Sequence, residues 1–164
     1  EAHAFLNPDK NSFVADLYSG IGHSLKWWVG SGAHVLGIES SAEAVYCAAK
    51  NVPEAMVFRG QCHTRVSQIS QIMETNNLSD KTRLLYVNPP RTGLGEKVIN
   101  WILTDFSPKR IAYLSCSAGT LSRDLKILTD SNYSAKKIIP YDFFPGTHHV
   151  ETLVLIEREG ENSF

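Results

Sequence analysis

Short apolar runs rich in β-branched residues alternate with segments of helical periodicity along most of the 164-residue chain. Such nearly continuous apolar runs are typical of strands that are buried on both faces of a parallel sheet. Glycine, proline and asparagine separate the two kinds of segment and mark the ends of helices. The pattern predicts strands over residues 13–18, 34–38, 55–58, 84–87 and 111–114, and helices over residues 25–29, 42–50, 64–74, 96–106 and 120–129.

Two further apolar runs, residues 135–143 and 150–157, follow without a helix-length segment between them, which favours antiparallel pairing. The alternation of strands and helices indicates a doubly wound α/β fold with a mostly parallel, seven-stranded sheet and an antiparallel last strand. We expect one domain over residues 13–158, a lead-in over residues 1–12 and a polar tail over residues 159–164.

Charge and cysteine content limit the class of protein. The chain has 16 Lys and Arg against 17 Asp and Glu, which excludes a domain that is basic throughout but not a local basic patch. No apolar run is long enough for a membrane span, and no apolar leader is visible. The 3 cysteines lack metal-ligand spacing, so we expect no metal site, no disulfide framework and a reducing, cytoplasmic compartment.

Ligands of doubly wound sheets bind beyond the carboxyl ends of the strands, so chemistry is expected directly after each predicted strand. Gly20 and Gly22 follow the first strand and open a helix, which lets backbone N–H groups approach an anionic ligand. Leu25 stands where a dinucleotide fingerprint has its third glycine, which disfavours a pyrophosphate ligand. Glu39 ends the second strand, where an acid can accept both hydroxyls of a ribose.

S-adenosylmethionine fits these expectations, because it is a nucleoside with a small anionic arm and no pyrophosphate. Its carboxylate would face the glycine turn, and its sulfonium would lie near Asp16 and Asn88. A glycine-rich turn beside a solvated acid, without a ligand, is the alternative that the same residues allow. The predicted cofactor contacts are Asp16, Tyr18, Gly20, Gly22, Glu39 and Asn88.

Two residues near the end of the chain are candidate reactive groups. Cys116 lies where the fifth strand ends and a helix begins, and a helix N-terminus favours the thiolate, although a buried structural cysteine is an equal alternative. Glu151 enters the last apolar strand as a candidate general base, or else as a solvated acid of a hairpin. Cys47 is predicted to lie in the core, and Cys62 to line the ligand site.

Four segments carry motifs of higher specificity. Residues 115–124 read SCSAGTLSRD and residues 142–151 read DFFPGTHHVE. Residues 16–22 read DLYSGIG, and residues 88–93 read NPPRTG. These segments resemble the motifs SCNPxTLxRD, DxFPxTxHxE, DLYCGIG and DPPRxG in the C-terminal catalytic domain of RNA 5-methyluridine (uracil-C5) methyltransferases, and the resemblance covers residues 13–158.

The resemblance implies a Rossmann-like, class I S-adenosylmethionine-dependent methyltransferase that acts on C5 of a uridine in tRNA or rRNA. It implies that Cys116 adds to C6 of the uracil and that Glu151 removes the C5 proton. The target base would have to leave its stack to reach these groups. The residues expected to contact the substrate are Arg91, Thr120 and His149.

The chain departs from the family pattern at three places. Asn88 replaces an aspartate, which removes a negative charge, and Ser117 and Ala118 replace Asn-Pro beside Cys116. The family's glutamine motif and RNA-binding front have no counterpart, so we expect a further domain or a partner to supply RNA binding. Two alternatives remain open: a cofactor- or RNA-binding module without turnover, and an amino-group methyltransferase that uses Asn-Pro-Pro with Arg91 in place of an aromatic residue.

Overall fold

A seven-stranded sheet forms the centre of the computed structural model, which describes residues 1–143, 145–147 and 150–160. The strand order β3-β2-β1-β4-β5-β7-β6 confirms the doubly wound architecture that the alternating pattern predicts. The strands are β1 (Ser12–Leu17), β2 (His34–Glu39), β3 (Met56–Arg59), β4 (Thr82–Val87), β5 (Arg110–Ser115), β6 (Tyr133–Tyr141) and β7 (Glu151–Arg158).

Helices cover both faces of this sheet. One of them, α6, continues directly into a π-helical turn, and a 3₁₀ turn separates α4 from α5. The helices are α1 (Ala2–Leu6), α2 (His23–Gly30), α3 (Ala42–Asn51), α4 (Cys62–Arg65), α5 (Ile69–Thr75), α6 (Glu96–Trp101) and α7 (Ala118–Thr129), with the 3₁₀ turn at Val66–Gln68 and the π-helical turn at Ile102–Phe106.

Strand β1 lies at the point where the winding direction reverses. It pairs in parallel with β2 on one side and with β4 on the other. The connections that leave β1 and β4 therefore diverge and open a crevice at the carboxyl ends of these two strands, where such sheets bind ligands.

The last strand, β7, runs antiparallel to both of its neighbours, as predicted. Its register places Thr152 opposite Ser115 of β5 and Glu151 opposite Tyr141 of β6. The start of β7 therefore lies at the same edge of the sheet as the carboxyl ends of the parallel strands.

Two apolar layers enclose the sheet. All six residues of β1 are buried, which explains why its sequence is nearly continuously apolar. Phe13, Ala15 and Leu17 face the layer covered by α4 to α7, whereas Val14 faces the layer covered by α1, α2 and α3. Among the described residues, no helix is long and apolar enough to cross a membrane.

The structure differs locally from the predicted helices. The sequence predicts one helix over residues 64–74, but the 3₁₀ turn interrupts it, while the apolar side chains Val66, Ile69 and Met73 are all buried. Helix α1 is absent from the prediction because it has five residues and no side-chain cap. Tertiary contacts hold it: Leu6 is buried, and Arg110 donates a hydrogen bond of 3.1 Å to the carbonyl of Phe5.

Candidate active site at the carboxyl ends of the strands

The turn after β1 brings the predicted glycine motif against β2. Tyr18 has a left-handed φ of 65°, and its N–H donates to the carbonyl of Ile38 at 2.9 Å. Gly22 has a φ of 85°, and a Cβ there would lie 3.2 Å from Ala48, so glycine allows α3 to pack closely. A Cβ on Gly20 would meet nothing within 4 Å, so the space in front of the turn is open.

Glu39 lies beside this turn, as the sequence predicted. Its carboxylate accepts hydrogen bonds from the N–H of Gly20 at 3.1 Å, of Ser40 at 2.6 Å and of Ser41 at 2.8 Å. Partial burial acts to raise the pKa of Glu39, but these hydrogen bonds outweigh it and hold the pKa below its usual range. The carboxylate is therefore ionised at neutral pH and joined to the glycine turn.

Asp16, at the end of β1, is fully buried. Its Oδ2 accepts a hydrogen bond of 2.7 Å from Nε1 of Trp28 on α2, and its Oδ1 has no hydrogen-bond partner among the described residues. Burial raises the pKa of Asp16 from 3.8 to about 7. The sequence predicts a helix over residues 25–29, but nothing in the local pattern shows which carboxylate the ring of Trp28 meets.

The buried Asp16 makes stability depend on pH. An acid whose pKa rises on folding contributes most stability below its unfolded pKa, and this contribution is lost as the pH rises towards the folded value of about 7. Asp16→Asn cannot ionise, so its free energy of unfolding relative to the wild type is expected to increase by about 3 kcal/mol between pH 5 and pH 8. Urea unfolding at both pH values measures this, and a difference that does not vary with pH would contradict the assignment.

The two candidate reactive groups lie at one end of the β5–β7 pair. The pairing ends with Ser115 opposite Thr152. Cys116, which directly follows β5, and Glu151, the first residue of β7, therefore lie at the same end of the strand pair. Cys116 is half-buried and directly precedes Ser117, the N-cap residue of α7. The structure thus brings together two residues that are separated by a long stretch of sequence.

Tyr86 connects this edge with the first strand and was missed by sequence reasoning. Its side chain lies on the face of the sheet that α2 covers, and the centre of its ring is 5.4 Å from that of Trp28. Burial raises the pKa of Tyr86 above its ordinary value, and the negative charges of Asp16 and Glu151 raise it further. The carboxylates of β1 and β7 therefore act on the same tyrosine side chain.

The other two cysteines behave differently from each other. Cys62 is buried at the start of α4, and burial raises the pKa of its thiol to about 12, which disfavours a nucleophilic role. Cys47 was predicted to lie in the core, and this is wrong because its side chain is exposed on α3. The error arises because Ala48, and not Cys47, occupies the inward position of this helix turn.

The predicted substrate residues have unequal surroundings. Arg91 and Asn88 are exposed on the loop that follows β4. Thr120, in the first turn of α7, donates a hydrogen bond of 3.1 Å from Oγ1 to the carbonyl of Arg91, so it contacts this loop. His149 lies outside the described residues.

A cavity of about 340 Å³ lies beside the crevice, between the turn after β1 and the loop after β4. It is lined by Tyr18, Gln61 and Pro90, together with residues of the segment 92–97. A larger cavity of about 650 Å³ lies at the opposite end of the strands, near the start of β4. It is lined by Lys81, Arg83 and Arg158 among others. Because ligands of this architecture bind at the carboxyl ends, the smaller cavity belongs to the candidate site.

Comparison with known proteins places this geometry in context. The chain is 37% identical over 150 residues to an uncharacterized RNA methyltransferase of Caldanaerobacter subterraneus, a match that covers 88% of this chain and 32% of the relative. It is 36% identical over 148 residues to an uncharacterized RNA methyltransferase of Thermotoga maritima, covering 90% of this chain and 33% of the relative. The chain thus spans about a third of the length of these relatives.

Solved structures share the fold. The tRNA (uracil-54, C5)-methyltransferase of Pyrococcus abyssi, crystallised with S-adenosyl-L-homocysteine, superposes with a TM-score of 0.73 at 24% identity, over 94% of this chain and 36% of that one. An rRNA methylase of Streptococcus thermophilus gives a TM-score of 0.69 at 14% identity, over 97% and 95% of the two chains. The family model described as tRNA (Uracil-5-)-methyltransferase matches residues 33–159, and the chain therefore belongs to this family.

Proposed function

We propose that this chain carries the catalytic part of an RNA methyltransferase that transfers a methyl group from S-adenosylmethionine to C5 of a uridine in tRNA or rRNA. The observation that carries the proposal is the emergence of Cys116 and Glu151 at the same end of the β5–β7 pair, on the edge that holds the glycine turn. Family membership and relatives named RNA methyltransferases support it. The name of the Pyrococcus abyssi neighbour, which specifies uracil C5, supports the site of methylation.

The residues around the crevice suit S-adenosylmethionine. The open space in front of Gly20 leaves room for the amino-acid arm, and the ionised Glu39 is an acceptor for ribose hydroxyls. The buried Oδ1 of Asp16, which lacks a partner among the described residues, suits a nearby cation. When bound, the cofactor would supply the methyl group from its sulfonium sulfur and would leave as S-adenosylhomocysteine. Tyr18, Gln61 and Pro90 would line the adenine side of the site.

The chemistry of uracil explains why a thiol and a carboxylate are needed. C5 of uracil is a poor nucleophile, and addition of the Cys116 thiolate to C6 moves the electrons of the C5–C6 double bond into an enolate that makes C5 reactive. After methylation at C5, Glu151 removes the remaining C5 proton. The bond between sulfur and C6 then breaks, the double bond re-forms, and the thiolate is released.

Covalent capture of RNA tests this proposal. Fluorine at C5 cannot leave as a proton, so RNA with 5-fluorouridine and S-adenosylmethionine is expected to remain attached to the protein through Cys116. Intact mass under denaturing conditions, followed by mapping of the modified peptide, measures the adduct. Cys116→Ala should form none, whereas Cys47→Ala, which removes an exposed thiol away from the site, should form as much as the wild type.

Two outcomes would favour the alternatives. Absence of an adduct with bound cofactor would favour a binding module without turnover, or RNA binding that a further domain or a partner supplies. An N-methylated product that persists in Cys116→Ala would favour an amino-group methyltransferase that uses residues 88–90.

A further inference from the structure

Asp124 is a fully buried carboxylate that lies outside the reacting groups described above. Its Oδ2 accepts hydrogen bonds from the hydroxyl of Tyr113 at 2.8 Å and from the N–H of Leu94 at 2.9 Å. Its Oδ1 accepts from Nε and Nη2 of Arg123 at 2.9 and 2.7 Å. One carboxylate therefore connects β5, α7 and the loop after β4.

The loop after β4 is held by α7 at successive residues. Nη2 of Arg123 also donates to the carbonyl of Thr92 at 3.0 Å, and Oγ1 of Thr120 donates to the carbonyl of Arg91. Between these contacts, a Cβ on Gly93 would lie 2.6 Å from both Nη2 of Arg123 and Oδ2 of Asp124. The glycine in the Asn-Pro-Pro-Arg-x-Gly segment is thus required for the close approach of the loop to the helix.

The helix that holds this loop is the one that begins directly after Cys116. We propose that Asp124 and Arg123 act as positioning residues, which clamp residues 91–94 to α7 and thereby set the cofactor side of the crevice relative to Cys116. The inference rests on the methyl transfer proposed above. A displacement of about 1 Å between reacting groups slows a reaction by about 100-fold, so a clamp of this kind affects rate as well as stability.

Two glycines of similar backbone conformation provide a matched test. Gly93 and Gly32 both have a positive φ, 78° and 79°, but the nearest atom to a Cβ on Gly32, in the turn before β2, would be the backbone N of Lys10 at 3.9 Å. Gly93→Ala is expected to weaken binding of S-adenosylhomocysteine about 10-fold and to slow formation of the 5-fluorouridine adduct about 100-fold. Gly32→Ala is expected to stay within about twofold of the wild type in both, since it adds a Cβ at a similar positive φ without contact to the clamp or to the crevice.

Further variants separate positioning from stability. Tyr113→Phe removes the hydrogen bond on the sheet side of Asp124, so it should lower the Tm. The affinity for S-adenosylhomocysteine and the rate of adduct formation should stay unchanged. Arg123→Lys keeps the charge beside Asp124 but cannot bridge to Thr92, and should reproduce the Gly93→Ala effects in a folded protein even if Gly93→Ala does not fold. Amide exchange at Leu94 should accelerate in Arg123→Lys and not in Gly32→Ala.

Equal losses in Gly93→Ala, Gly32→Ala and Tyr113→Phe would overturn the inference, as would variants of Gly93 and Arg123 that change only the Tm. The binding and exchange measurements need no RNA. A wild type that binds S-adenosylhomocysteine but forms no adduct would therefore contradict the proposed function alone, and the clamp would still be decided by the other two measurements.

Discussion

Replacing Glu151 by glutamine is expected to slow turnover by about 10²- to 10⁴-fold and to leave the protein attached to RNA that contains ordinary uridine. Glutamine has nearly the shape of glutamate but cannot accept the C5 proton. The Cys116 adduct would then form and be methylated, but elimination of the thiolate would be blocked. Denaturing gel electrophoresis of the complex and the rate of release of methylated RNA measure the two effects.

Glu157 offers a matched control for this experiment. It lies on the same strand as Glu151 but pairs opposite Arg110 at the other end of the sheet, with a salt bridge of 3.0 Å between the side chains. Glu157→Gln makes the same change on β7 at a position far from Cys116. This variant should therefore release methylated RNA at the wild-type rate. Normal turnover in Glu151→Gln would contradict its role as the base.

Restoring aspartate at position 88 is expected to raise methyl transfer by about 10- to 100-fold, because a preorganised charge near the reacting centre is worth this much or more. Asn88 is exposed at the carboxyl end of β4, where the family pattern has Asp. A carboxylate there attracts the sulfonium of S-adenosylmethionine but not the neutral sulfur of S-adenosylhomocysteine. Asn88→Asp should therefore increase the ratio of the two affinities about 10-fold, which isothermal titration calorimetry measures.

The control is the same change at a distant position. Asn11 is exposed just before β1, at the opposite edge of the sheet, so Asn11→Asp adds an equal charge without approaching the crevice. It should alter neither the affinity ratio nor the rate. A rate that does not rise in Asn88→Asp, with S-adenosylhomocysteine still bound, would favour a defect elsewhere in the site or a module that binds cofactor without turnover.

Much of the fold could be predicted because its pattern is local. A strand buried on both faces has to be apolar throughout, so β1, with six buried residues, is recognisable without any tertiary information. The spacing of Gly20 and Glu39 along the chain is that of one β–α–β unit, in which the two strand ends lie side by side. In the structure the N–H of Gly20 donates a hydrogen bond of 3.1 Å to the Glu39 carboxylate. Such features depend on neighbouring residues and on periodicity, which a sequence displays directly.

The surroundings of individual side chains could not be predicted in the same way. The burial of Asp16 and its hydrogen bond to Trp28 depend on how α2 packs across β1. The exposure of Cys47 depends on the rotation of α3 about its own axis, which turns the neighbouring Ala48 inward. Helix α1 exists because tertiary contacts hold five residues that would not form a helix alone. None of these follows from a local preference.

The sequence by itself determined the order of strands and helices, the motifs at the strand ends and the chemical character of Cys116 and Glu151. Only the tertiary structure decided that these two residues emerge together at one end of the β5–β7 pair, and that Asp124 joins Tyr113, Leu94 and Arg123. The physical reason is that periodicity and turn chemistry act between residues close in the chain. Register between distant strands and the satisfaction of a buried charge are instead set by the packing of the whole domain.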